Sequence, residues 1–129
     1  MPYRQTFTSG QVLTAAQMNQ LQESVWELDT TADTTTAYTL VLGDAGKYVT
    51  LSNASAVTLT VPTNATVAFD VGTVVNVVQL GAGQVTIAGA GGVTVNSEGS
   101  KLKLKGQYAV ASLLKTATNS WVALGNLSA

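Results

Sequence analysis

Apolar and polar residues alternate with period two along most of the chain after residue 37. Residues 57–61 read Val-Thr-Leu-Thr-Val, and the alternation returns at residues 67–71, 85–87 and 93–95. This pattern is typical of β-strands that bury one face and expose the other. Glycine-rich segments interrupt it and predict turns; they lie at residues 43–46, 81–83 and 89–92.

Two segments, residues 74–80 and 108–114, are apolar or small on both faces. We expect these to be central strands that are covered on both sides. Counting them, about nine or ten short strands follow one another at intervals of roughly 8–12 residues. The pattern predicts a mainly β fold over residues 37–129, an antiparallel β-sandwich or barrel.

Residues 14–28 have a different period, which predicts one short α-helix. The helix begins with a capping box at Thr14-Ala15-Ala16-Gln17. Met18, Leu21, Val25 and Leu28 then recur three or four residues apart, as along the seam of a coiled coil. A helix this short is marginal in isolation. It packs either on its own β-domain or on a copy or larger partner, and we favour the intermolecular alternative.

The helix lies between two irregular segments. Residues 1–13 form an N-terminal arm that contains Tyr3, Arg4 and Phe7, and residues 29–36 are a threonine-rich stretch that we interpret as a tether. We therefore divide the chain into residues 1–36 (arm, helix and tether) and a β-domain over residues 37–129. The arm residues and the helix seam are the predicted partner or oligomer interface: Tyr3, Arg4, Phe7, Met18, Leu21, Val25 and Leu28.

The composition argues against enzymatic chemistry. The chain has no histidine and no cysteine, and only 10% of its residues are charged. Most catalysis requires proton carriers, nucleophiles or metal ligands, and these are the residue types that the chain lacks. Asp44 and Asp70 both lie at predicted turns but are distant in sequence, so nothing pairs them as catalytic acids. We expect no enzymatic activity, no cofactor and no metal site.

The charge distribution narrows the class of partner. The net charge of −1 argues against nucleic acid and against a polybasic membrane contact. No apolar run reaches the roughly 18 residues of a membrane span, and the first residues lack the layout of a signal peptide, so we expect synthesis in a cytoplasm.

Residues 101–105 place three lysines on one strand face. A solvated edge strand explains them best; a phosphate stripe or a contact with an acidic partner is the alternative.

Four stretches of the β-domain and one N-terminal stretch resemble a known module. They are residues 38–49 (YTLVLGDAGKYV), 55–64, 72–87 with its core QLGAGQVT, 108–125 ending in WVALG, and the leader FTSGQVLTAAQMN at residues 7–19. This succession resembles a β-module of structural proteins in tailed bacteriophages. Such modules occur in small capsid decoration proteins and in tail-fibre or minor tail proteins.

The resemblance implies a role that the composition does not show. A single module in a short chain is more similar to a decoration (cement) protein than to a fibre with several modules. It implies a homotrimer on the capsid exterior of the virion, bound to the major capsid protein and assembled in the bacterial host cytoplasm. The alternative is a tail-fibre or tail-tip adhesin that binds a host receptor. An enzyme such as a depolymerase, with Asp44 or Asp70 as its acids, is the least supported.

Overall fold

A computed structural model describes residues 9–10, 12, 14–16 and 30–129. Residues 15 and 16 are helical and Thr14 is not, and residues 17–28 of the predicted helix lie outside the described residues. The remainder of the described chain is mainly β, as the alternation predicts. Its strands are β1 (Thr30–Asp33), β2 (Ala37–Thr39), β3 (Tyr48–Leu51), β4 (Val57–Val61), β5 (Val74–Gln79), β6 (Val85–Gly89), β7 (Thr94–Ser97), β8 (Lys103–Leu104), β9 (Val110–Ala117), β10 (Ser120–Gly125) and β11 (Leu127–Ser128).

These strands form two sheets that face each other across one core. Sheet A has the order β1-β3-β5-β9-β10-β7, and sheet B has the order β11-β8-β6-β4-β2. From β1 to β8 the chain crosses from one sheet to the other after every strand. Because two strands of one sheet then follow each other in the same direction, β1, β3 and β5 pair in parallel, and so do β2, β4 and β6.

The pairing corrects the expected antiparallel arrangement. Antiparallel pairs join β9 to both β5 and β10, and β8 to both β6 and β11, so each sheet is mixed. Alternating strand patterns are the same for both directions of pairing, because each strand still has one buried and one outward face. The connections decide the direction, and those from β1 to β9 run between the sheets; only β9 and β10 form a hairpin within one sheet among the described strands.

The core contains the inward side chains of both sheets. From sheet B come Val57, Leu59, Val61, Val85, Ile87 and Leu104, and from sheet A come Val49, Leu51, Val75, Val77, Ala111, Leu113, Trp121 and Ala123. Phe69, in the segment between β4 and β5, meets Trp121 edge to face, with ring centroids 5.5 Å apart. This is a favourable geometry for two aromatic rings, and it fixes the connection against sheet A.

Residues 30–33, which we expected to lie in the tether, form β1 instead. They pair with β3 in parallel, with Thr30 opposite Tyr48 and Asp33 opposite Leu51. Threonine is a good strand former, and a short threonine-rich edge strand lacks the apolar alternation that marks a buried strand. The sandwich therefore begins at Thr30, only two residues after Leu28.

Candidate interaction surface

The outward face of sheet A carries no charged residue on any of its six strands. Cross-strand pairing places its side chains in rows, because residues opposite each other share a face. The face comprises Thr30, Ala32, Tyr48, Thr50, Val74, Asn76, Val78, Thr94, Asn96, Val110, Ser112, Leu114, Ser120, Val122 and Leu124. We call these residues the A face.

Apolar side chains occupy the middle of the A face. Val74, Leu114 and Val122 form one row across β5, β9 and β10, and Val78 and Val110 form another. Val74 is 38% exposed, Val110 is 37% exposed and Leu124 is 52% exposed. Large apolar side chains scattered singly on a surface need no explanation, but a contiguous group marks an interaction surface.

One polar row divides these apolar rows. Ser112 Oγ donates a 2.7 Å hydrogen bond to Asn76 Oδ1 across β5 and β9. Because this pair satisfies part of its own hydrogen-bonding capacity, it costs less to remove from water than two unpaired polar groups. The centre of the A face can thus be covered by an apolar partner.

The A face continues into an exposed tip where β5 ends and β9 begins. Tyr108 is 69% exposed and Leu80 is 40% exposed. Tyr108 has a φ of 69°, which is unusual for a bulky residue, and its backbone N–H donates to the Gln79 carbonyl at 2.6 Å. Gln107 Nε2 donates to the Leu80 carbonyl at 3.0 Å. These contacts fix the backbone at Tyr108, and the Tyr108 side chain is exposed.

The predicted central strands identify this surface in part. Residues 74–80 and 108–114 supply β5 and β9, and both lie in the middle of sheet A, as predicted. Their inward side chains are buried. Their outward side chains, four of them apolar and two polar (Asn76 and Ser112), are half-buried or exposed, so within the described residues these strands are not covered on both sides as predicted.

The outward face of sheet B is different in chemistry. It presents Thr58 and Thr60 of β4, Thr86 of β6 and Lys103 of β8, with Thr86 directly opposite Lys103. Lys101, Lys103 and Lys105 are exposed, whereas Leu104 is fully buried, so the lysines share one side as predicted. The interpretation of this segment as an edge strand was wrong, since β11 pairs with β8 on its far side.

The two aspartates weighed as candidate acids have separate environments. Asp44 is fully buried and accepts hydrogen bonds from Thr31 Oγ1 at 2.9 Å, Tyr38 Oη at 2.7 Å and the Val41 backbone N–H at 3.0 Å. Asp70 is exposed. The Asp44 carboxylate thus joins β1, β2 and the turn before β3, which is a structural task.

Asp44 also changes the chemistry of Tyr38. Burial, and then the hydrogen bond and negative charge of Asp44, raise the pKa of the Tyr38 phenol well above its ordinary value. The phenol therefore keeps its proton and remains a donor throughout the neutral range. Sequence analysis missed this pair, because nothing but the fold brings a strand tyrosine to a carboxylate six residues later.

A second polar group inside the molecule is Lys115, which is 3% exposed. Its Nζ donates to Asn64 Oδ1 at 2.6 Å and to the Phe69 carbonyl at 2.7 Å. Buried ammonium groups require such partners. Asn64 is held in turn, since its backbone N–H donates to Asn119 Oδ1 at 2.7 Å. Lys115 thus ties β9 to the segment between β4 and β5.

The predicted interface residues Tyr3, Arg4, Phe7, Met18, Leu21, Val25 and Leu28 lie outside the described residues. Within the described part of the chain, no three Asp, Glu, His or Cys side chains are grouped so that they could hold a metal ion. No helix among the described residues is long and apolar enough to cross a membrane. Comparisons with protein-family models, curated proteins and solved structures return no match for this chain.

Proposed function

We propose that the protein is a non-enzymatic structural component of a tailed-bacteriophage virion. In this role it is a capsid decoration protein that binds the outer capsid surface as a homotrimer and stabilises the head. The observation that carries the proposal is the A face, an uncharged surface with apolar rows. The described part of the sandwich leaves these apolar side chains exposed or half-buried, which is typical of a surface that binds a partner. Contact between copies would remove that surface from water.

The proposed mechanism is multivalent binding. The N-terminal arm, with Tyr3, Arg4 and Phe7, contacts the major capsid protein, and the sandwiches associate with one another. Linking three weak contacts in one trimer raises the overall affinity about 10²–10⁴-fold without any new contact. A trimer that bridges neighbouring capsid subunits then opposes the outward pressure of the packaged DNA.

Binding to capsids tests this function. The full-length protein is mixed with capsids assembled without it, and binding is measured by co-sedimentation. We expect saturable binding, and we expect the double variant Arg4→Ala/Phe7→Ala to weaken it at least tenfold, about 1.4 kcal/mol. Thr39→Ala, at an exposed position of sheet B, is the control and should bind normally. Absence of binding by the unchanged protein would overturn the proposal.

One observation favours an adhesin as the second candidate. Tyr108 is an exposed aromatic side chain held outward at a tip, which is the type of residue that stacks on sugars or anchors a protein contact. The other aromatic residues of the sandwich are buried or half-buried. Electron microscopy of virions labelled with an antibody to the protein separates the two candidates. Label on heads supports a decoration protein, and label on tails supports an adhesin.

A further inference from the structure

We propose that the A face of one copy binds the amphipathic segment 14–28 of a second copy. This inference rests on the proposed function in one respect, the homotrimer. It names the contact that holds the homotrimer together. The occupant is the helix that the sequence predicts for this segment, and in the proposed contact its apolar seam, Met18, Leu21, Val25 and Leu28, lies on the uncharged sheet. Each copy therefore offers a segment and receives one.

The dimensions of the segment match those of the sheet. A helix of 15 residues is about 22 Å long at a rise of about 1.5 Å per residue. Six strands at spacings of about 4.8 Å make a sheet about 24 Å wide. A single helix crossing the strands would thus cover the A face from β1 to the far edge.

The charged residues of the segment are placed so that its apolar seam can face the A face. On a helical projection at about 100° per residue, Glu23 and Glu27 lie opposite the apolar seam. The seam side carries no charge between Met18 and Leu28, and neither does the A face. Docking along the seam therefore buries no charge and leaves both glutamates in water.

The short connection to β1 favours a second copy over the same chain. Only Asp29 separates Leu28 from Thr30, where β1 begins. Connections that return a helix onto its own sheet have about two to six residues. A link of one residue is shorter than this range, and short hinges of this type lead to exchange between copies.

The buried area favours a ring over a face-to-face dimer. The A face has a projected area of about 400 Å², from a width of about 24 Å and strands about 17 Å long. Two A faces in contact would bury only this one surface of each copy, whereas a copy in a closed ring buries its segment and its A face together.

Cross-linking tests the contact directly, because the natural chain has no cysteine. One chain carries Leu21→Cys and another carries Ser112→Cys, and the two are co-expressed and treated with a short thiol-specific cross-linker. We expect a covalent pair that contains one chain of each kind. The matched controls are Glu23→Cys with Ser112→Cys, on the opposite side of the helix, and Leu21→Cys with Thr58→Cys, on sheet B. Neither should cross-link.

A single chain with both Leu21→Cys and Ser112→Cys decides between one copy and two. Linkage between chains supports the proposal. Linkage confined within one chain, or none at all, overturns it.

Oligomer mass gives an independent measurement. We expect Val110→Asp, on the A face, and Leu21→Asp, on the segment, to shift the mass in solution from trimer to monomer. Thr58→Asp and Glu23→Lys should remain trimers. Leu21→Asp alters no residue of the sandwich strands, so it decides the matter even where Val110→Asp fails to fold. A trimer that persists in Leu21→Asp overturns the contact.

Capsid binding is measured on the same samples. Binding without the cross-link overturns this contact and leaves the capsid role standing. A cross-link without capsid binding overturns the capsid role and leaves this contact standing.

Discussion

The hydroxyl group of Tyr38 donates a 2.7 Å hydrogen bond to Asp44 Oδ2, and that carboxylate is fully buried. Thr31 and the Val41 backbone N–H donate to the same carboxylate, so one side chain holds two strands and a turn together. This polar cluster lies beside the first two strands of the sandwich. The stability of the N-terminal side of the domain therefore depends on it.

Replacing Asp44 should destabilise the protein strongly. Asp44→Ala leaves the Tyr38 hydroxyl, the Thr31 hydroxyl and the Val41 N–H without their acceptor, and each unsatisfied buried group costs about 1–3 kcal/mol. Because the three hydrogen bonds are only partly buried, we expect a total loss of about 3 kcal/mol in the free energy of unfolding, near the lower end of that range. Chemical denaturation measures it. Glu98→Ala, at an exposed acid, should change stability by less than about 0.5 kcal/mol.

The raised pKa of Tyr38 predicts a loss of stability in alkali. The unfolded chain releases the phenolic proton near the ordinary pKa of 10.0, whereas the folded protein retains it to a higher pH. The contribution is thus complete below pH 10 and is lost progressively as the pH rises above it. Thermal unfolding between pH 8 and pH 11 measures this loss. Tyr38→Phe should flatten the decline, and the control Tyr108→Phe should not.

Replacing the buried Lys115 with an uncharged residue should lower the free energy of unfolding. Lys115→Met keeps most of the side-chain volume but leaves the Phe69 carbonyl and Asn64 Oδ1 without a donor. We expect a loss of about 2 kcal/mol, mostly from these unsatisfied acceptors. Lys105→Met removes an exposed lysine and should have almost no effect. Equal stability of the two variants, measured by urea denaturation, would contradict the assigned role of Lys115.

Gly83 and Gly91 allow a matched test of how closely the backbone is packed around a glycine. A side chain at Gly83 would overlap the backbone carbonyl of Ser55, because the two loops lie against each other there, whereas nothing lies within 4 Å of a side chain at Gly91. Neither glycine has a positive φ. We therefore expect Gly83→Ala to cost at least about 3 kcal/mol and Gly91→Ala to be neutral or slightly stabilising. Melting temperatures of the two variants make the comparison.

The sequence allows the strands to be predicted but not their partners. Val57, Leu59 and Val61 are buried and Thr58 is exposed, as the alternation requires. The same alternation fits parallel and antiparallel neighbours equally well, and the mixed sheets depend on connections that cross from one sheet to the other, which the alternation does not indicate. Residues 30–33 were misassigned for a related reason, since β1 has no apolar residue larger than alanine.

The sequence likewise predicted only part of the candidate surface. Apolar residues on both sides of residues 74–80 and 108–114 predict central strands, and β5 and β9 are central. What the pattern does not specify is the layer that covers the second side. The hydrogen bonds of Asp44 and Lys115 were not predictable, because they join residues that only the tertiary fold brings together.

The alternation of strands between the sheets also sets the order of events during synthesis. Most strands in the first two thirds of the chain pair with partners far along the sequence, whereas the β9–β10 hairpin is local and lies near the carboxyl end. β5 receives its second neighbour only when β9 has been made. Folds built from such distant pairings form slowly. The sandwich thus cannot close until β9 has been synthesised, and until then one edge of β5 is left open to pairing with another strand.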